Sequence, residues 1–219
     1  MKRSILLIMI VALAISCAAC STDTGKKDPS ENPVESGSVA GSEAESEYVS
    51  ETESETLIIL DIKDATDLLT QVWNSYDKEE KFMCVGGHYE AYTDEAPAKY
   101  DLTKAADIER IFCIPQDVIS YVDDAATLQH AQNVNNFSAA VYHVTDVANV
   151  QTLIDRITQQ TLANKWLNGR PERFVVYTVG EQYVVTAYGS KALVINFAEK
   201  LEETYYNVPE RVVKEDIIK

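Results

Sequence analysis

Apolar residues along this chain follow three patterns, and each predicts a different kind of segment. Residues 5–15 form one unbroken apolar run, residues 21–55 carry few apolar side chains, and from residue 56 onward apolar positions recur at helical and strand periods. Ala65, Leu68, Leu69, Val72, Trp73 and Tyr76 fall on one face at steps of three and four, which predicts a helix with Asp64 as its N-cap. Residues 82–92 are short on period. Met83-Cys84-Val85 and Tyr89-Glu90-Ala91-Tyr92 flank Gly86-Gly87, which reads as a turn or bulge within weak strand or loop. Residues 106–112 read as a short helix stopped by Pro115. Residues 118–132 read both ways: Val118, Tyr121, Val122, Ala125 and Leu128 suit a helix, while the β-branched start suits a strand.

The second half is more regular. Residues 137–144 predict a strand, after which Asp146 caps a long helix with Val150, Leu153, Ile154, Ile157 and Trp166 on its buried face. Asn168-Gly169-Arg170-Pro171 stops that helix, with Gly169 suited to the left-handed position beyond its end. Residues 174–179 and 183–188 are β-rich runs joined across Gly180-Glu181, a hairpin. Ser190 then caps a last helix with Leu193, Val194, Phe197 and Leu201 on one face. The order β-α-β-β-α predicts an α+β fold: a small, mainly antiparallel sheet in strand order 1-3-2 for this half, with the helices covering one face.

The apolar run near the start changes the picture, because it is an address. Lys2 and Arg3 precede it, and it is too short for the roughly 20 residues that span a bilayer, so it reads as a cleaved export signal within residues 1–20. Leu13-Ala14-Ile15-Ser16-Cys17 resembles the lipobox of bacterial lipoproteins, which implies that Cys17 receives diacylglycerol and becomes the new N-terminus. Ala18-Ala19-Cys20 offers Cys20 as the alternative lipidation site, and ordinary secretion without lipid is the third reading. Cys17 and Cys20 spell C-x-x-C, but inside a signal this is not a redox motif.

Residues 21–55 hold ten acids against Lys26 and Lys27, too little apolar surface to offset the entropy of ordering. Ser42-Glu43, Ser46-Glu47, Ser50-Glu51 and Ser54-Glu55 repeat every four residues, so a helix would stack like charges. This stretch reads as a disordered acidic tether. Of the net charge of −16, the signal contributes +2 and the tether −8, which leaves −10 for residues 56–219, the span of one α+β domain. An acidic domain disfavours nucleic acid, whose phosphates call for clustered Lys and Arg.

Candidate chemistry is sparse. His88, His130 and His143 are the only histidines and lack metal-binding spacing; His88 shares a strand face with Glu90, and His143 is the third that a zinc or copper site would need. Cys84 and Cys113 read as free thiols, with a disulfide or a Cys–His nucleophile as alternatives. Asp123-Asp124 and Asp107-Glu109 are the acid pairs a glycosidic hydrolase would need, and read more simply as helix caps and solvated faces. No phosphate-binding loop or nucleophile elbow occurs, so no catalytic, cofactor or metal residue is assigned. Tyr89, Tyr92, Tyr100, Tyr121, Tyr142, Tyr177, Tyr183, Tyr188, Tyr205 and Tyr206 suit a recognition surface, and strand faces as well.

Val122-Asp123-Asp124-Ala125-Ala126, Asn135-Asn136-Phe137 and Tyr142-His143-Val144, set behind a lipoprotein signal and an acidic tether, resemble a family of lipoproteins of Gram-positive gut anaerobes that carry a domain of unknown function. The resemblance covers roughly residues 64–205, and some members are labelled bacteriocin-transport accessory proteins. It implies anchoring at the outer membrane face and supplies no catalytic residues. The expectation is a non-enzymatic, membrane-tethered binding or accessory module of the cell envelope with an envelope protein as partner. An envelope hydrolase or thiol enzyme using Cys84 or Cys113, and a small-ligand or peptide sensor, are the alternatives.

Overall fold

A computed structural model describes residues 61–167, 169–206 and 208–217, all within one unit, Glu55–Lys219. The export signal with Cys17 and Cys20, the acidic tether, and Asn168 of the expected helix stop lie outside the described residues. The elements run α1 (Ala65–Asn74), β1 (Cys84–His88), β2 (Ala91–Asp94), β3 (Ala98–Lys99), α2 (Ala105–Phe112), β4 (Val122–His130), β5 (Phe137–Val144), α3 (Val150–Ala163), β6 (Arg173–Val179), β7 (Tyr183–Gly189), α4 (Lys191–Thr204) and β8 (Glu210–Asp216). Single 3-10 turns, Gln116–Tyr121 and Val147–Asn149, lead into β4 and α3.

All eight strands form one antiparallel sheet in the order β2-β1-β4-β5-β7-β6-β8, with β3 paired to β4 beside β1. The fold is α+β, and β5-β7-β6 reproduces the expected 1-3-2 order. β5 and β6 each run antiparallel to β7 between them, with Val141 opposite Val185 and Tyr177 opposite Val185.

The helices cover both faces of the sheet, not one. On the first face α1 and α4 bury Leu68, Leu69, Val72, Phe197 and Leu201 against Phe137, Val141, Tyr177 and Val185. On the second, α2 and α3 bury Ile108, Phe112, Leu153 and Ile157 against Tyr142, Phe174, Val176 and Val184. The physical reason lies in the strands. Residues 137–142 are buried without interruption, and a strand apolar on both sides needs cover on both sides. Residues 122–130 form a strand, β4, with 125–129 buried on both sides, while Val118 and Tyr121, which suggested a helix, belong to the 3-10 turn ahead of it.

Local signals held where a cap or breaker acts directly. The Asp64 carboxylate accepts the Asp67 N–H at 2.7 Å and starts α1. α2 ends at Cys113 in the left-handed conformation (φ 57°), two residues before Pro115. Three expectations are corrected. Asp146 caps the 3-10 turn ahead of α3 through the Ala148 N–H. α3 ends at Ala163 because Asn164 turns extended, so Trp166 packs from a loop and Gly169 (φ 100°) lies well past the helix end. Ser190 holds the N-cap position of α4, but its hydroxyl makes no capping bond; the Glu172 carboxylate accepts the Lys191 N–H at 2.7 Å in its place.

Gly86-Gly87, expected as a turn or bulge, lies inside strand β1 and the turn falls at Tyr89-Glu90; a side chain on Gly86 would run into the backbone of residues 96–98 within 2.6 Å. β8 has no counterpart in the hydrophobic pattern. Glu210, Arg211, Lys214, Glu215 and Asp216 charge its exposed edge, which blunts unwanted strand pairing. It is pinned by buried Arg173, which donates to Asp216 from Nε (3.0 Å) and Nη2 (2.7 Å).

Candidate recognition surface

The groups with catalytic potential are scattered through the fold. Cys84 packs with α1 on the first face and Cys113 closes α2 against Asn164 of the α3 end on the second, so the sheet lies between two free thiols. Burial pushes each thiol up to about 11, which keeps it protonated and non-nucleophilic near neutral pH. The His88 ring meets Tyr100 at 5.9 Å, and His130 stacks on Phe82 at 5.6 Å. His143 binds Asp123 through Nδ1 at 2.6 Å and leans on Tyr183 at 4.9 Å. No histidine meets a cysteine in these contacts, and the described residues contain no group of three metal-binding side chains.

The acid pairs serve the scaffold. Asp124 reaches across from β4 to accept the Ala65 N–H of α1 at 2.8 Å and pairs with Lys99 at 2.9 Å. Burial alone would raise its carboxyl, but the hydrogen bonds from Ala65, Lys99 and the Ala125 N–H together outweigh that and hold it below the ordinary value. Asp107 pairs with Arg110, and Glu109 accepts from Gln116. Tyr100, Tyr142, Tyr177, Tyr188 and Tyr205 are core residues; Tyr89, Tyr92 and Tyr206 are the exposed ones.

What does converge is recognition chemistry, at the end of the sheet where β4 turns into β5, α3 gives way to β6, and β7 passes into α4. Two cavities of about 200 and 180 Å³ adjoin there. The first is lined by Arg110, Ile111, Val134, Asn164, Lys165, Trp166, Leu167 and Tyr188, the second by Asn133, Asn136, Arg170, Pro171, Glu172 and Ser190, and both by Asn135. Asn135 is the shared wall: its Nδ2 donates to the carbonyls of Leu167 and of Gly169 (2.7 Å), which fixes the 164–172 loop against the 131–136 turn. The Ser190 N–H donates to the Asn136 carbonyl, and the Glu172 N–H to that of Gly189, each at 2.8 Å.

The Trp166 ring lies 4.8 Å from that of Tyr188, whose hydroxyl donates to the Ile111 carbonyl at 2.5 Å. The Trp166 indole N–H is shielded from solvent and has no partner among the described residues. Leu167 is 79% exposed, the most exposed of the large apolar side chains described. Elsewhere on the surface, Tyr92 stands edge-on to Tyr89 at 6.2 Å. Lys165 and Arg170 make no ion pair among the described residues.

Sequence reasoning placed Trp166 on a helix face and nominated none of Arg110, Lys165, Leu167 or Arg170. The available signal was Lys165-Trp166-Leu167 and Arg170 around Gly169 and Pro171: an aromatic and an aliphatic residue between cations in a breaker-rich loop. No family model, no curated protein and no solved structure matches the chain. Among the described residues no helix is long and apolar enough to cross a membrane.

Proposed function

We propose that this chain is an extracytoplasmic lipoprotein, anchored through Cys17 with Cys20 as the alternative, that acts as a non-enzymatic binding or accessory module of the cell envelope. The sheet-end surface is its recognition site. One observation carries the reading: the buried thiols, the histidines and the paired acids are dispersed and engaged in the scaffold, whereas Arg110, Lys165, Trp166, Leu167 and Tyr188 line one cavity. Tyrosine, tryptophan and arginine dominate binding hot spots, because they bury much area while keeping polar groups available. The resemblance to lipoproteins of Gram-positive anaerobes agrees with this reading, and the protonated, buried thiols weigh against a thiol enzyme.

Two measurements in a Gram-positive host test it. Radiolabelled palmitate should mark the full chain and leave Cys17→Ala unmarked; loss only in Cys20→Ala moves the anchor, and an unlabelled wild type removes it. Capture from crosslinked cells should enrich an envelope protein with the wild type and much less with Lys165→Gln/Leu167→Ser. Equal enrichment by both would exclude this surface.

A further inference from the structure

We infer that the cavity between α2 and the 164–167 segment binds a carboxylate borne by an apolar group, as found in an acidic or C-terminal segment of a peptide. This rests on the sheet-end surface being a recognition site and names the chemistry it takes. The lining contains no acid. Its cations are Arg110, whose side chain is 66% exposed and shares only one nitrogen with Asp107 at 3.3 Å, and Lys165, which has no ion pair among the described residues. In a domain of net charge −10, a cavity with two cations and no carboxylate is a local reversal of sign. Charge-assisted hydrogen bonds from such groups to a carboxylate are the strong ones.

The remaining polar capacity points the same way. Tyr188 gives its hydroxyl to Ile111, Asn135 spends its amide on the 164–172 loop, and Asn164 gives its own amide N–H to the Cys113 sulfur at 3.4 Å. Left over among the side-chain donors are the Trp166 N–H, without a partner among the described residues, one N–H of Asn164, and the Arg110 and Lys165 groups. Ile111, Val134 and Tyr188 supply an apolar floor beside these donors.

Size narrows the ligand. About 200 Å³ is the share of roughly seven water molecules at about 30 Å³ each, below the range of about 300–1,000 Å³ typical of sites that swallow a whole small molecule. The cavity therefore takes one end or one side chain of something larger. The exposed Leu167 beside Lys165 also resembles a lipid-facing tip, but Trp166 lies folded onto Tyr188 with its N–H shielded, which suits a cavity wall better than a membrane wedge.

The chain has two tryptophans, so full-length protein in neutral detergent micelles can be titrated by fluorescence, with Trp166→Phe giving the background from buried Trp73. The probes are acetyl-Ala-Ala-Leu with a free C-terminus, the same peptide as its C-terminal amide, and acetyl-Leu-Glu amide, which separates a terminal from a side-chain carboxylate. Saturable change in Trp166 emission is expected with one or both acids, and binding of the neutral amide at least about tenfold weaker. Arg110→Gln and Lys165→Gln, both at exposed side chains, should each weaken the acid by about tenfold. Equal binding of acid and amide would overturn the carboxylate assignment while leaving a recognition site. Silence of Trp166 towards all three peptides, or a response only when the micelles are doped with phosphatidylglycerol, would overturn the inference. The crosslinked-cell capture decides separately whether the surface recognises anything.

Discussion

Gly189, the last residue of β7, packs against the Asn136–Phe137 backbone beside the sheet-end site, and replacing it with alanine is the sharpest test of that packing. Its φ is 154°, and a Cβ there would stand 2.3 Å from the Asn136 carbonyl oxygen and 2.8 Å from both Asn136 C and Phe137 Cα. All three are backbone atoms of the turn into β5, so no side-chain tip can swing away. The same carbonyl receives the Ser190 N–H, and Gly189's own carbonyl receives the Glu172 N–H. Backbone strain of about 1–3 kcal/mol and overpacking of about 1–3 kcal/mol sum to about 4 kcal/mol. At about 2–4 °C per kcal/mol for a domain of this size, Tm should fall by about 8–16 °C. Gly169→Ala is the matched control: its φ is 100° but nothing lies within 4 Å of the added carbon, so only the left-handed penalty of about 1–2 kcal/mol applies. Urea and thermal unfolding followed by circular dichroism read both. A Gly189→Ala protein within about 1 kcal/mol of wild type, or equal losses at the two glycines, would refute the close approach as the cause.

Three further outcomes are expected. Iodoacetamide at pH 7.5 should leave Cys84 and Cys113 unmodified in the folded chain and alkylate both in denaturant, because burial holds each thiol near 11; rapid native alkylation of either would reopen thiol chemistry. Glu172→Ala should cost about 1 kcal/mol by uncapping α4, and Ser190→Ala less than about 0.5 kcal/mol, with a reversed order contradicting the cap assignment. Asp124 is held below its unfolded value of about 3.9, so its contribution is complete above that pH and is lost as pH falls through the lower folded value. Urea midpoints taken downward from pH 7 should therefore drop below about pH 4 in the wild type and drop less steeply in Asp124→Asn; parallel profiles would remove Asp124 from the acid transition.

The sequence was legible where a cap, turn or breaker bounds either a one-sided apolar stripe or an almost unbroken β-rich run. α1 with Asp64, the β6–β7 hairpin, β5 and the span of α4 are such cases. It left both readings open in β4, where Asp123, Asp124, Thr127 and Gln129 interrupt the apolar run, and it misled where Trp166 continued the apolar spacing of α3 although the chain had already turned extended at Asn164. β8 carried no hydrophobic signal, since backbone pairing with β6 and the Arg173–Asp216 contact hold it instead of an apolar face. The proposed recognition surface was invisible for a topological reason. Residues 110, 134–135, 164–167 and 188 come from four separate segments, which only the crossing of α2, the β4–β5 turn, the α3–β6 loop and β7 brings together.

Recognition at the sheet end is tested most directly by a photoreactive side chain placed in living cells at Leu167 and, as control, at Tyr206. Both positions are exposed, at 79% and 77%, but Tyr206 lies beyond the far end of α4, about 20 Å along a helix of that length from Ser190. Illumination should give a discrete adduct from position 167 and none from position 206. Adducts of equal strength at both positions, or none at 167, would contradict a binding surface at that end of the sheet.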